Sequence, residues 1–173
     1  LLTSIAGSLP GWTTPDILTL TGVAGAGLFF IGCIASRSSS GFYLLAIFGL
    51  LLNWFGDSLD GSLARYREIE RPRYGFFVDQ FSDVVAHFFI LFGLGFSTVM
   101  RLDIALMALL GSLLTMFYGH LRLQFARTWQ VSHYGIGPTE LRILIIGGLV
   151  LAMNDDIPML TTVLGRFSLF DIV

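Results

Sequence analysis

The chain contains no lysine, and all ten of its basic residues are arginine. A P-loop lysine and a Schiff-base nucleophile are thereby excluded. A single cysteine, Cys33, lies within an apolar stretch, so neither a disulfide framework nor a cysteine-rich zinc site is possible. Charge is scarce, at 13% of residues, and the net charge of −2 comes without any basic run, which argues against nucleic-acid binding. No cleavable signal-peptide pattern, internal repeat, low-complexity tract or linker interrupts the sequence, which predicts one domain over residues 1–173. With no initiating Met, the chain is expected to begin inside something longer.

What is abundant is apolar surface. Hydrophobic residues make up 54% of the chain, and the mean hydropathy is +0.77. That composition belongs to a membrane protein. A spanning helix needs about 20 apolar residues, and five segments approach that length: 17–35, 42–63, 74–99, 104–125 and a shorter one at 141–153. Residues 159–173 are either a peripheral piece or, as the reading favoured here, the opening of an incomplete sixth span. The first twelve residues, LLTSIAGSLPGW, are apolar but too short to span and are broken by Pro10, so they predict an interfacial helix. The expected fold is all-α: a polytopic membrane bundle of five visible spans and the start of a sixth, with an N-terminal helix on the membrane surface.

The arginines orient it. Arg65, Arg67, Arg71, Arg73, Arg122, Arg127 and Arg142 fall at one set of span ends, and only Arg37 and Arg101 at the other. The positive-inside rule puts the first set in the cytoplasm.

Against this background four carboxylates stand out: Asp57 and Asp60 in the last turns of the second span, and Asp79 and Asp83 in the first turns of the third. Each charged side chain at membrane depth costs about 2.5–3.5 kcal/mol or more, which makes four within a stretch of 27 residues a functional feature. Asp57, Asp60, Gly61 and Ala64 share one helical face at i, i+3, i+4 and i+7, as do Gly75, Asp79 and Asp83 at i, i+4 and i+8. Oxygen ligands without sulfur or imidazole suit Mg²⁺, Mn²⁺ or Ca²⁺. The small residues beside them leave room for a ligand, and carboxylates from facing helices suit a two-ion clamp for phosphoryl transfer.

The strings DSLDGSLAR and GFFVDQFSD resemble the two halves of the CDP-alcohol phosphotransferase (CDP-alcohol phosphatidyltransferase) motif, DxxDGxxAR followed by GxxxDxxxD. Asp57, Asp60, Gly61, Ala64, Arg65, Gly75, Asp79 and Asp83 fill all eight of its fixed positions. The spacer between Arg65 and Gly75 is one residue longer than is common, an insertion that falls in the loop between two spans. The resemblance implies a phospholipid-synthesis transferase that moves a phospho-alcohol unit from a CDP-linked donor, CDP-diacylglycerol or a CDP-amino alcohol, to an alcohol or lipid acceptor, releasing CMP. It further implies two Mg²⁺ or Mn²⁺ ions, one on Asp57, Asp60 and Asp79 and the other on Asp57, Asp79 and Asp83. Asp83 would also take the acceptor proton. Gly61, Ala64, Arg65 and Gly75 would contact the donor, six spans are expected, and the enzyme would be a homodimer.

Other residues at that depth carry two readings. TTPDILTLTG is similar to the stretch preceding the motif in this family, which implicates Asp16 and Thr19 in donor binding; alternatively Thr14 or Asp16 caps a helix with Pro15 in its first turn. Arg122, Arg127 and Arg142 are candidates for an acceptor or phosphate site, or membrane anchors. Glu140 joins that group because GPTE resembles the GPTEG of choline and ethanolamine phosphotransferases, although Leu141 replaces the second glycine; a first-turn Glu also compensates the helix dipole. His87 is expected to be a hydrogen-bonded packing residue, Asn53 to orient a carboxylate or a water, and Trp12, Trp54 and Trp129 to anchor at the interface. The run GVAGAG at residues 22–27 suits close helix packing.

Two rivals remain. A UbiA-like Mg-dependent prenyltransferase has its acidic motifs far apart in sequence, whereas here only 18 residues separate Asp60 from Asp79. A cation transporter would spread its carboxylates across the membrane and leaves DGxxAR unexplained.

Overall fold

A computed structural model of the chain describes residues 2–126, 137–154, 160–162 and 165–171. Six helices account for most of them: α1 (Leu2–Ser8), α2 (Pro15–Ala35), α3 (Tyr43–Tyr66), α4 (Pro72–Phe96), α5 (Leu102–Ala126) and α6 (Pro138–Met153). Among the described residues, four helices are long and apolar enough to cross a membrane, and they are α2 to α5. At 16 residues, α6 reaches only about 24 Å at 1.5 Å per residue, short of the roughly 30 Å hydrocarbon core. The fifth span of the sequence reading is therefore present as a helix but is not long enough by itself.

The tail differs from the favoured expectation. Leu160–Thr162 and Gly165–Phe167 form a two-stranded antiparallel pair, with Leu160 opposite Phe167, followed by a turn of 3₁₀ helix at Leu169–Asp171. β-Branched Thr161 and Thr162 with a glycine close behind favour a short ribbon over a helix. This is the peripheral alternative, not the opening of a sixth span. The 3₁₀ turn is tied back to the bundle: Ser168 Oγ donates to the Val99 carbonyl, and Asp171 Oδ1 accepts from Arg101 N at 2.9 Å.

At the other end, α1 is the expected short helix. It lays Ala6 against Leu18, Leu59 and Leu63. Arg67, just past the end of α3, secures the connection that follows, donating to the carbonyls of Leu9, Pro10, Gly11 and Thr13. Those carbonyls lie at and just beyond the end of α1, where backbone acceptors have no helical partner. Pro15 opens α2, and Thr14 caps it, accepting from Ile17 N at 3.3 Å.

The centre of the bundle is the antiparallel α2–α3 pair. A Cβ placed on Gly25 would lie 2.5 Å from the Asn53 backbone nitrogen, and one on Gly49 would lie 2.5 Å from that of Phe29. The two backbones therefore touch, a close approach that only glycine allows. Gly22 and Gly25 of the small-residue run are used in this seam, whereas Gly27 faces open space. α4 runs alongside α2 on another side, with Phe30 packed on Phe89 and Phe96. α6 covers α3, contributing Ile145, Leu149 and Ala152 to a core with Phe29, Tyr43, Ala46 and Leu50. By contacting both α3 and α4, α2 fixes where their acidic ends stand.

Candidate active site

The i, i+4 spacing of Asp79 and Asp83 stacks them on one face of α4, one turn apart, and Asp57 meets them from α3. Each of the three offers an oxygen such that all three atoms lie within 4.8 Å of one another. All three residues are half-buried. Like charges this close repel strongly in a partly buried setting, so the arrangement fits a divalent cation bound by hard oxygen donors. It is also the set of residues that the resemblance implies for the second ion.

Asp60, one turn beyond Asp57, is buried at 8% exposure. Its Oδ2 accepts from Thr19 Oγ1 at 2.7 Å, and its Oδ1 accepts from Gly61 N. Thr19 thus reaches across from α2 to orient a carboxylate, a pairing that no sequence spacing reveals. With Asp57 and Asp79, Asp60 lines a cavity of about 380 Å³ that also includes Asp16, Thr19, Gly61, Ala64, Arg65 and Gly75. All six residues assigned to donor binding face this one space. Its further wall, from Ile69 through Pro72 to Phe76, belongs to the α3–α4 loop and the first turn of α4.

The glycines here serve a different purpose from those in the seam. A Cβ on Gly75 would meet nothing within 4 Å, and one on Gly61 would first meet Arg65 Nη1 at 3.4 Å. Gly75 keeps volume free for a ligand. Arg65 has a long hydrogen bond to Ser62 Oγ at 3.5 Å, which leaves its planar fork suited to a phosphate.

Across the mouth, Arg71 donates to Asp16 Oδ1 at 2.6 Å and lies 4.3 Å from the centre of the Tyr74 ring. The hydrogen bond that Arg71 donates to Asp16 raises its guanidinium above the ordinary value. Capping of α2 thus falls to Thr14, while Asp16 joins α2 to the start of α4. The sequence reading counted Arg71 only among the orienting arginines.

Three of the four acceptor-site candidates, Arg122, Glu140 and Arg142, are among the described residues. Arg142, on α6, donates to Asp57 Oδ2 at 2.9 Å, with the two side chains 14% and 26% exposed. Glu140 is spent locally, its Oε2 accepting from Gly137 N at 2.9 Å at the start of its own helix. Arg122 lies half-buried on α5, where His120 Nδ1 faces the Met116 carbonyl at 2.8 Å. Arg127, like Trp129, lies outside the described residues. His87 Nδ1 is 2.7 Å from the Asp83 carbonyl one turn back, as expected for a hydrogen-bonded packing histidine. Asn53, expected to orient a carboxylate or a water, donates from Nδ2 to the Gly22 carbonyl at 3.1 Å, because the glycine seam brings that carbonyl within reach.

A family model described as CDP-alcohol phosphatidyltransferase matches residues 12–171 of the chain. In a sequence comparison with curated proteins, none matches.

Proposed function

Since the chain belongs to the CDP-alcohol phosphatidyltransferase family, we propose that it is a membrane enzyme that moves a phosphatidyl group from CDP-diacylglycerol to an acceptor hydroxyl by a two-ion mechanism. The observation that carries this reading is the convergence of Asp57, Asp79 and Asp83 within 4.8 Å, beside the cavity lined by the motif's glycines and arginine. Residues 1–173 act as one membrane domain, with this cavity on the cytoplasmic side where the arginines gather.

Asp57, Asp79 and Asp83 hold one divalent ion and Asp57, Asp60 and Asp79 the other, in keeping with the all-oxygen donor set. When bound, such ions neutralise the donor pyrophosphate and the charge that develops on the leaving CMP oxygen. Arg65 pairs with a donor phosphate, while Gly61, Ala64 and Gly75 let the nucleotide lie against α3 and α4. Asp16 and Thr19 close the α2 side. The acceptor oxygen attacks the phosphorus that bears the diacylglycerol unit, the bond from that phosphorus to the CMP oxygen breaks, and Asp83 takes the hydroxyl proton.

Two features favour a lipid-linked donor over a CDP-amino alcohol. Phe76 lines the cavity and Phe77 follows it, 42% and 66% exposed, which provides an apolar route for acyl chains. The GPTE stretch, the one hint of an amino-alcohol donor, is engaged in capping α6. The enzyme works as a homodimer, for which the exposed stacked rings Phe77 and Phe81 on α4 offer a packing face. The direct test is to incubate the purified protein with Mn²⁺ and radiolabelled CDP-diacylglycerol or CDP-choline, across a panel of alcohols. Release of CMP from the first donor is expected, and consumption of CDP-choline alone overturns the donor assignment.

A further inference from the structure

Beside Asp57 and Asp83 lies a second and much smaller space. It is lined by Thr19, Gly22, Asn53, Asp57, Asp83 and Ala86, among others, and its room for a water centre is about 10 Å³. That is close to the minimum of about 10–15 Å³ for one water. Asn53 is 3% exposed, and its Oδ1 is the one buried side-chain polar atom among the described residues without a hydrogen-bond partner. An orphaned amide oxygen of this kind costs about 1–3 kcal/mol. Replacing Asn53 by an apolar residue of the same size would remove the cost, unless the oxygen has a use.

We infer that Asn53 is a positioning residue, holding one ordered water in this cavity that ties the amide oxygen to the carboxylates of Asp57 and Asp83. The inference rests on the metal-binding reading above. The chemistry is complementary: the amide Nδ2 is committed to Gly22, so Oδ1 presents an acceptor, and carboxylates are acceptors too. A water supplies the two O–H donors that such a gap needs, one to Oδ1 and one to a carboxylate oxygen. Helical spacing supports it, since Asn53 stands one turn before Asp57 on α3 and Ala86 stands just under one turn after Asp83 on α4. The water then backs the carboxylates from the membrane side and leaves their other oxygens for the ions. Because Gly22 and Asn53 belong to the helix seam, the position of the water is referred to the close backbone contact between α2 and α3.

The test uses the full chain in lipid nanodiscs, with Mn²⁺ affinity read by electron paramagnetic resonance. Asn53→Leu removes the amide oxygen, and Ala86→Val fills the cavity from the opposite helix while sparing the Asn53–Gly22 bond. Both should weaken Mn²⁺ binding about tenfold, the lower end for loss of a partner behind a metal ligand. A loss confined to Asn53→Leu would assign the effect to the Gly22 bond and overturn the inference, as would wild-type affinity in both. A water-resolving map of the wild-type protein decides the matter without variants: density within reach of Asn53 Oδ1 and a carboxylate is expected, and a dry cavity overturns the inference. Failure of the wild type to bind Mn²⁺ would instead count against the metal reading.

Discussion

Arg142 on α6 is hydrogen-bonded to Asp57 on α3 at 2.9 Å, across a sequence separation of 85 residues. A helix outside the motif thereby holds one of the two carboxylates that the proposed ion sites share. Arg142→Gln should lower turnover at least tenfold, because a hydrogen bond between charged groups contributes about 1.5–3 kcal/mol and its loss frees Asp57 to turn. Steady-state kinetics with the melting temperature measured alongside checks this; unchanged turnover would make Arg142 a packing residue only.

Chelation should abolish turnover, and Mg²⁺ or Mn²⁺ should restore it. The motivation is the three-oxygen cluster within 4.8 Å. Thermal unfolding should respond in parallel, since an ion that binds only the folded protein at 100 times its Kd stabilises it by about 2.7 kcal/mol. Full consumption of a CDP-linked donor in excess chelator would sink the two-ion mechanism.

Asp83→Asn keeps an oxygen donor but removes the proton acceptor, so CDP binding should survive while transfer falls by about 10²–10⁴-fold. Asp57→Asn takes charge from both proposed ion sites and should weaken CDP binding itself. His87→Ala should be mild beside either, since that ring is bonded to a backbone carbonyl within its own helix. Calorimetric CDP binding and transfer rates separate the three. Near-normal turnover in Asp83→Asn combined with its loss in His87→Ala would move the base to His87.

Gly75 and Gly25 should respond in opposite ways to an added side chain. A Cβ at Gly75 meets open space, and Gly75→Leu gains about 0.5–1 kcal/mol of helix propensity, so the protein should fold at least as stably while the donor KM rises about tenfold. Gly25→Ala drives a methyl group into the facing α3 backbone and should cost about 1–3 kcal/mol. Melting curves in detergent and donor KM together test the contrast; a normal KM in Gly75→Leu would place the nucleotide elsewhere.

Helical periodicity made the acidic faces readable from sequence, because i, i+3 and i+4 spacing is local and the apolar spans are long, whereas the donor-side residues are implied by the resemblance to the family. Asp57, Asp79 and Asp83 converge as their spacing suggested, and Asp16, Thr19, Gly61, Ala64, Arg65 and Gly75 share one cavity. The unreadable parts depend on which residues meet across helices. Nothing local to Thr19 points to Asp60, nothing near Arg67 points to four carbonyls at the end of α1, and Arg142 reads as a phosphate-site candidate or a membrane anchor until α6 is laid on α3. The tail misled for another reason: its apolar composition matches a span, while its threonines and Gly165 favour the short hairpin.

The α2–α3 seam gives the proposed catalytic centre an unusual mechanical footing. Because Gly25 and Gly49 bring main chain against main chain, the spacing of the two helices is set by hard backbone atoms, with no side-chain rotamers between them to adjust. The acidic end of α3 inherits that spacing, and so does the fit of any ion between it and α4. Substitutions in the seam, deep in the apolar part of the bundle, should therefore alter preference between small Mg²⁺ and larger Ca²⁺, which differ by about 0.3–0.5 Å in ligand distance. Glycines that touch neither substrate nor metal would act as the gauge by which this protein measures its cation.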